Sequence, residues 1–225
     1  KLSYGLGDIY GGGANTLVSM YYLVFLTDVM KISPALAGTA FLISKTWAAA
    51  TDPVMGIISD NTKSRFGRRR PYFLAGIPLV FLSFVLMWVP LSYPSEAARF
   101  LYVVLVNIFF ATIFTMVWVP YNALAPDLTS DYHERTKLAT WRMIFSNISG
   151  ILAGMLGRDF FVTTLYPDAP QKGFLLMAVA FGLFFALPYI LTFRYCRETP
   201  HTQNAPSFQW NGIRGIVQAY IKEPF

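Results

Sequence analysis

The chain has 225 residues, of which 55% are apolar and 13% charged, with a formal net charge of +6. Average usage is about 25% charged residues, so the composition excludes an ordinary water-soluble globule and indicates a membrane protein. The single cysteine, Cys196, excludes an intrachain disulfide and a cysteine-type metal cluster.

Six weakly charged windows follow in order: Ser3–Val29, Ala35–Ile58, Pro71–Leu91, Ala97–Ala125, Leu138–Phe161 and Gly173–Phe193. Each has about 20 residues or more, which at 1.5 Å per residue crosses some 30 Å of hydrocarbon as a helix. Several such runs separated by charged loops are not a signal peptide. The expected architecture is an all-α membrane protein with a six-helix transmembrane bundle over residues 1–193. Residues 194–225 read as a cytoplasmic linker, "RETPHTQNAPSFQWNG", ending in an amphipathic helix with Ile213, Ile216, Val217, Tyr220 and Ile221 on one face.

The first predicted helix carries Asp8, Gly12, Asn15, Ser19 and Tyr22 at three- and four-residue steps, a continuous polar face. The second carries Lys45 and Asp52 seven apart, hence on one face about 10 Å from each other. Then comes "SDNTKSRFGRRRPYF", with five basic residues between positions 63 and 70. Gly56 and Asp60 precede them, Arg65, Gly67, Arg68, Arg69 and Arg70 form the run, and Pro71 opens the third helix where proline is tolerated. The glycine suggests close approach of another helix. The acid and the guanidinium groups suggest charge-assisted bonds that hold one conformation and break in another. Asn107, Thr115, Trp118 and Asn122 make a polar seam on the fourth helix, and Arg142, Ser146 and Ser149 another on the fifth. Between these two helices lie Asp127, Asp131, Glu134 and Arg135.

With the first residue inside, twelve basic residues fall on cytoplasmic segments and four, Lys31, Arg99, Arg158 and Lys172, on the opposite side. That bias predicts a multi-pass plasma (inner) membrane protein with both ends cytoplasmic, and the net charge then requires no nucleic-acid partner. Polar and charged groups inside a bundle are costly and mark pathways. Asn15, Asn122 and Arg142 offer paired donors and acceptors for sugar hydroxyls, and Tyr22 and Trp118 offer aromatic faces for a sugar ring, so these five form the candidate solute site. Asp52, beside Lys45, is the candidate coupling carboxylate. Burial would raise its pKa towards proton carriage unless Lys45 or Arg142 stabilised the charge. His133 and His201 lie in loops with no metal-ligand spacing, and Gly11–Gly13 follow no strand, so an enzyme is not indicated.

The pattern G-x-x-x-D-x4-R-x-G-R-R-R resembles, in stretched form, the loop motif between helices two and three of the major facilitator superfamily. The strings "TDPVMGIISDNTKSRFGRRRPYFLAG", "KLSYGLGD", "VPYNALAPDLTSDYHERTKLATWR" and "IVQAYIKEPF" resemble the glycoside-pentoside-hexuronide:cation symporters, the melibiose permease family. The resemblance covers essentially the whole chain. It implies a sugar or glycoside symporter that works by alternating access and one half of a twelve-helix fold, with the second six-helix half supplied by a C-terminal half or by another copy. It also leads one to expect aspartates where this chain has Gly12, Ala48 and Trp118, the last two for sodium. Asp52 alone with neutral helpers is a poor sodium cage, so no cofactor is expected and a proton ranks ahead of Na+ as co-transported ion. Three other readings remain open: a carrier of lysolipids or other amphiphiles on the same fold, an uncoupled sugar facilitator, and a membrane scaffold or receptor.

Overall fold

In the computed structural model, residues 2–91, 95–129 and 131–196 are described; the predicted linker and surface helix from position 197 onward lie outside them. Six helical rods follow one another. The first, residues 2–29, is a composite of α1 (Leu2–Leu6), α2 (Ile9–Leu17) and two π-helical segments, Val18–Tyr22 and Phe25–Val29. Next come α3 (Pro34–Asn61), α4 (Arg70–Met87), α5 (Glu96–Leu128) and α6 (Tyr132–Leu156), the last extended by a π segment at Asp159–Thr164. Finally α7 (Pro170–Ala186) runs into α8 (Pro188–Tyr195). There is no strand among the described residues. Three stretches, Arg70–Met87, Glu96–Leu128 and Pro170–Tyr195, are helices long and apolar enough to cross a membrane. The other rods carry charges or breaks that interrupt such a run: Asp8 in the first, Lys45 and Asp52 in α3, Arg142 in α6.

The rod starts obey local chemistry. Proline occupies the first turn of α3, α4 and α7, where its missing N–H would be unpaired anyway. Ser95 and Asp131 cap α5 and α6 by accepting from the backbone N–H of Ala98 and His133 at 3.1 and 2.9 Å. The short link from the first rod to α3 is clasped to the start of α5. Arg99 donates to the Met30 carbonyl at 2.9 Å, and the Ser33 N–H donates to Glu96 at 2.9 Å.

Packing pairs α3 with α5, α1 and α2 with α6, and α4 with α5, α7 and α8. The core is aromatic. Trp88 and Phe174 stack at 5.7 Å with Phe25 and Tyr22 against them, and Tyr10, Phe84, Phe185 and Tyr189 form a second group. The glycine run on α2 lets that helix meet α6 backbone to backbone: a Cβ on Gly12 would stand 2.2 Å from the Ser146 carbonyl oxygen. Gly56 does not have the role expected of it. A Cβ there would find its nearest neighbour, Val119, at 4.0 Å, so no close helix approach depends on it.

Candidate solute site and inner latch

The break between α1 and α2 at Gly7 and Asp8 turns the Asp8 side chain into the bundle, where it is 3% exposed. Its Oδ2 accepts from Arg142 Nε at 3.1 Å, joining the first rod to α6. The Arg142 guanidinium also lies over the rings of Trp118 and Tyr121, 5.1 and 5.6 Å from their centroids. Such placement adds a cation–π attraction to the ion pair. Tyr121 in turn stacks on Tyr4 at 4.8 Å and donates its hydroxyl to the Tyr4 carbonyl at 2.6 Å. Arg142 and Trp118, both predicted solute ligands, are thus brought together, half-buried, by α6 and α5. Asn122 is one turn beyond Trp118, and its amide donates to the Trp118 carbonyl at 2.8 Å, leaving its oxygen to accept. Asp8, the partner that orients Arg142, was legible only as one member of a polar face.

Asn15 is exposed on α2, donates to the Gly11 carbonyl at 2.7 Å, and lines a cavity shared with Lys45. Tyr22 is corrected: it is fully buried in the aromatic core beside Phe25, Phe41 and Trp88, away from Arg142 and Trp118. The cause is the π segment Val18–Tyr22. Its wider turns break the 3.6-residue spacing that would have carried Tyr22 onto the face of Asn15.

The burial expected of Asp52 is not found: the residue is exposed on α3, and its Oδ1 accepts from the Thr115 hydroxyl of α5 at 2.6 Å. No ion pair joins it to Lys45 or to Arg142 among the described residues, so the anticipated charge partners are replaced by a neutral hydroxyl.

The basic loop folds against the ends of three helices. Gly67 takes φ 108°, a left-handed conformation that favours glycine, and so turns the loop back towards α3. Arg69, 6% exposed, donates through Nε to Asp127 at 2.6 Å and through Nη2 to Asp60 at 3.0 Å, linking α5 to α3. Arg68 reaches the same Asp127 oxygen at 3.4 Å. Arg70 donates to the Phe193 carbonyl at the end of α8 and stacks on the Phe193 ring at 4.7 Å. Arg65 stacks on Phe66 at 4.7 Å. Glu134 accepts from Lys137 at 3.4 Å, and Arg135 donates to the Thr129 carbonyl at 2.9 Å, bracing the start of α6. Asp127 is therefore the hub, although the spacing pointed first to Asp60.

A family profile described as MFS/sugar transport protein matches residues 3–222. The chain belongs to this major facilitator family, in its glycoside-pentoside-hexuronide symporter branch. An uncharacterized symporter of Synechocystis sp. is 37% identical over 179 residues, 77% of this chain and 32% of that protein. The isoprimeverose transporter of Lactiplantibacillus pentosus is 32% identical over 153 residues, 68% of this chain and 32% of that protein. The sodium-dependent lysophosphatidylcholine symporter 1 of Mus musculus is 29% identical over 147 residues, 64% and 28% of the two chains. The chain spans less than half the length of each. The family and the apolar helices make this an integral membrane protein.

Proposed function

We propose that the chain is the six-crossing first half of a secondary transporter for sugars or glycosides, working by alternating access against a second six-helix half and driven by protons. The observation that carries this reading is the Asp8–Arg142–Trp118 assembly. A guanidinium and an indole face, held between two rods, suit the hydroxyls and the apolar ring face of a sugar. Solute hydroxyls would compete with Asp8 for Arg142, so binding and the α2–α6 contact are coupled. Support for the sugar class comes also from the relative that carries isoprimeverose.

Asp52 is the proposed proton carrier. With Thr115 it presents one carboxylate and one hydroxyl, fewer oxygens than the several a hard cation seeks. Protonation would weaken the acceptor that Thr115 holds and change how α3 meets α5, a differential interaction of the kind a switch needs. In proteoliposomes of the complete protein, an inward proton gradient should drive uphill glycoside uptake and a sodium gradient at fixed pH should not. Asp52→Asn should abolish accumulation and spare exchange. Sodium-driven uptake, or accumulation intact in Asp52→Asn, would overturn the coupling assignment. A second reading, an amphiphile carrier, draws on the relative named for lysophosphatidylcholine. Uptake of lysolipid with no glycoside uptake would favour it.

A further inference from the structure

The break that turns Asp8 inward has a visible cause. In a continuous α-helix the Asp8 N–H would bond to the Tyr4 carbonyl, four residues back. Here the Gly7 N–H takes the Tyr4 carbonyl and the Asp8 N–H takes that of Gly5, both at 3.1 Å and both only three residues back, a tightened turn that interrupts the first rod. Into the place left at the Tyr4 carbonyl comes the hydroxyl of Tyr121 from α5, at 2.6 Å and 117 positions away in the chain. The Tyr4 hydroxyl returns a longer bond to the Tyr121 carbonyl at 3.4 Å, and both residues are buried. Gly7 lets the ring in, since a Cβ there would stand 2.5 Å from Tyr121 Cε2. Asp8 then occupies the N-cap of α2 but makes no capping bond, and its carboxylate goes to Arg142 instead.

We propose that Tyr121 is a positioning residue for the solute site: its hydroxyl, bonded to the Tyr4 carbonyl, holds the break in the first rod, and the break aims Asp8 at Arg142. Asp8 takes the guanidinium through Nε, which leaves the terminal nitrogens for solute hydroxyls. Without the Tyr121 hydroxyl the Tyr4 carbonyl is open to the Asp8 N–H, the tightened turn relaxes towards a regular one, and the carboxylate turns with it. A guanidinium released from Asp8 has to be ordered by the solute itself, and that loss of preorganisation lowers affinity. The hydroxyl carries the effect, because phenylalanine would keep the stack on Tyr4 and the face beneath Arg142. This role rests on the sugar reading and adds to it a residue that acts through Asp8.

The test titrates the purified complete protein with a panel of 4-nitrophenyl pentosides and hexosides, beside its thermal unfolding. Tyr121→Phe should weaken binding about three- to tenfold, the scale of one net hydrogen bond. In an Asp8→Asn background, where the carboxylate is already gone, the same change should move affinity by less than about twofold. Thr192→Val is the control: it removes another buried hydroxyl, one that ties α8 to the Ser3 carbonyl of the same α1 at 3.1 Å, and should lower the melting temperature without moving affinity. Gly7→Ala crowds the Tyr121 ring from the first rod and should repeat the loss and its dependence on Asp8, which decides the matter should Tyr121→Phe fail to fold. Unchanged affinity in Tyr121→Phe and Gly7→Ala, a loss as large in the Asp8→Asn background, or an equal loss in Thr192→Val overturns the positioning role and leaves the sugar reading intact. If the unaltered protein binds no member of the panel, the sugar reading fails and the positioning role with it.

Discussion

At the scale of single residues, the bundle separates side chains that look alike in sequence. Arg142 and Tyr22 both stood on predicted polar faces, yet one guanidinium meets a carboxylate and two rings while the tyrosine is sealed among aromatics. Arg142→Ala should weaken glycoside binding by about 1.5–3 kcal/mol, the scale of hydrogen bonds to charged groups. Tyr22→Phe should leave binding unchanged and stability equal or higher, because the Tyr22 hydroxyl is buried with no hydrogen-bond partner among the described residues. Titration of both variants with the transported glycoside, beside their thermal unfolding, checks the pair. A large affinity loss in Tyr22→Phe would return that residue to the solute site. What made Tyr22 illegible was a change of helix type: π turns look like any other apolar run, and a 3.6-residue period read across one misplaces every later position.

At the scale of elements, the contacts between helices decide which glycines and which charges matter. Gly12 admits the α6 backbone, so Gly12→Ala must push α2 from α6, and overpacking of this kind costs about 1–3 kcal/mol. Gly56→Ala, with open space around it, should be neutral or stabilising by up to about 1 kcal/mol through helix propensity. Thermal melts in detergent distinguish them, and equal melts would contradict the packing. The latch divides likewise. Arg69 and Asp127 have side chains only 7% exposed, so Asp127→Asn leaves a buried guanidinium poorly compensated and should destabilise by about 3–5 kcal/mol. Asp60, with 36% of its side chain exposed, contributes little to stability, about 1 kcal/mol or less. Asp60→Asn should therefore express normally and slow transport turnover, as a conformational tie that closes and opens would require. Undiminished turnover in that variant would remove Asp60 from the latch.

At the scale of the whole molecule, orientation and the polar face of the bundle belong together. If the basic loop faces the cytoplasm, a cysteine placed at Lys63 should react with a membrane-impermeant maleimide only in inside-out vesicles, and one at Asp168 only in right-side-out vesicles. The native Cys196 gives little background, since burial pushes its thiol up to about 11 and keeps it protonated at neutral pH. Labelling of both positions from one side would break the six-crossing arrangement. Asn15, Lys45 and Asp52 are exposed on the bundle, and polar groups at membrane depth face a water-filled path or another protein segment. The second half of the proposed fold would cover that face.

The sequence by itself determined the class, the number and order of the helical rods, and the motif loop. Those follow from composition, from runs long enough for hydrocarbon and from residues close together in the chain. It also pointed to Arg142, Trp118 and Asp52, because ionisable and indole groups inside apolar runs stand out without any partner. Only the tertiary structure decided the pairings: Asp8 with Arg142 across 134 positions, Asp127 with Arg69 across 58, and Asp52 with Thr115 rather than Lys45. The physical reason is that a charge-assisted bond depends on distance in space to within a few tenths of an ångström. In a bundle that distance is set by helix breaks, π turns and glycine contacts, whose effects accumulate along each rod.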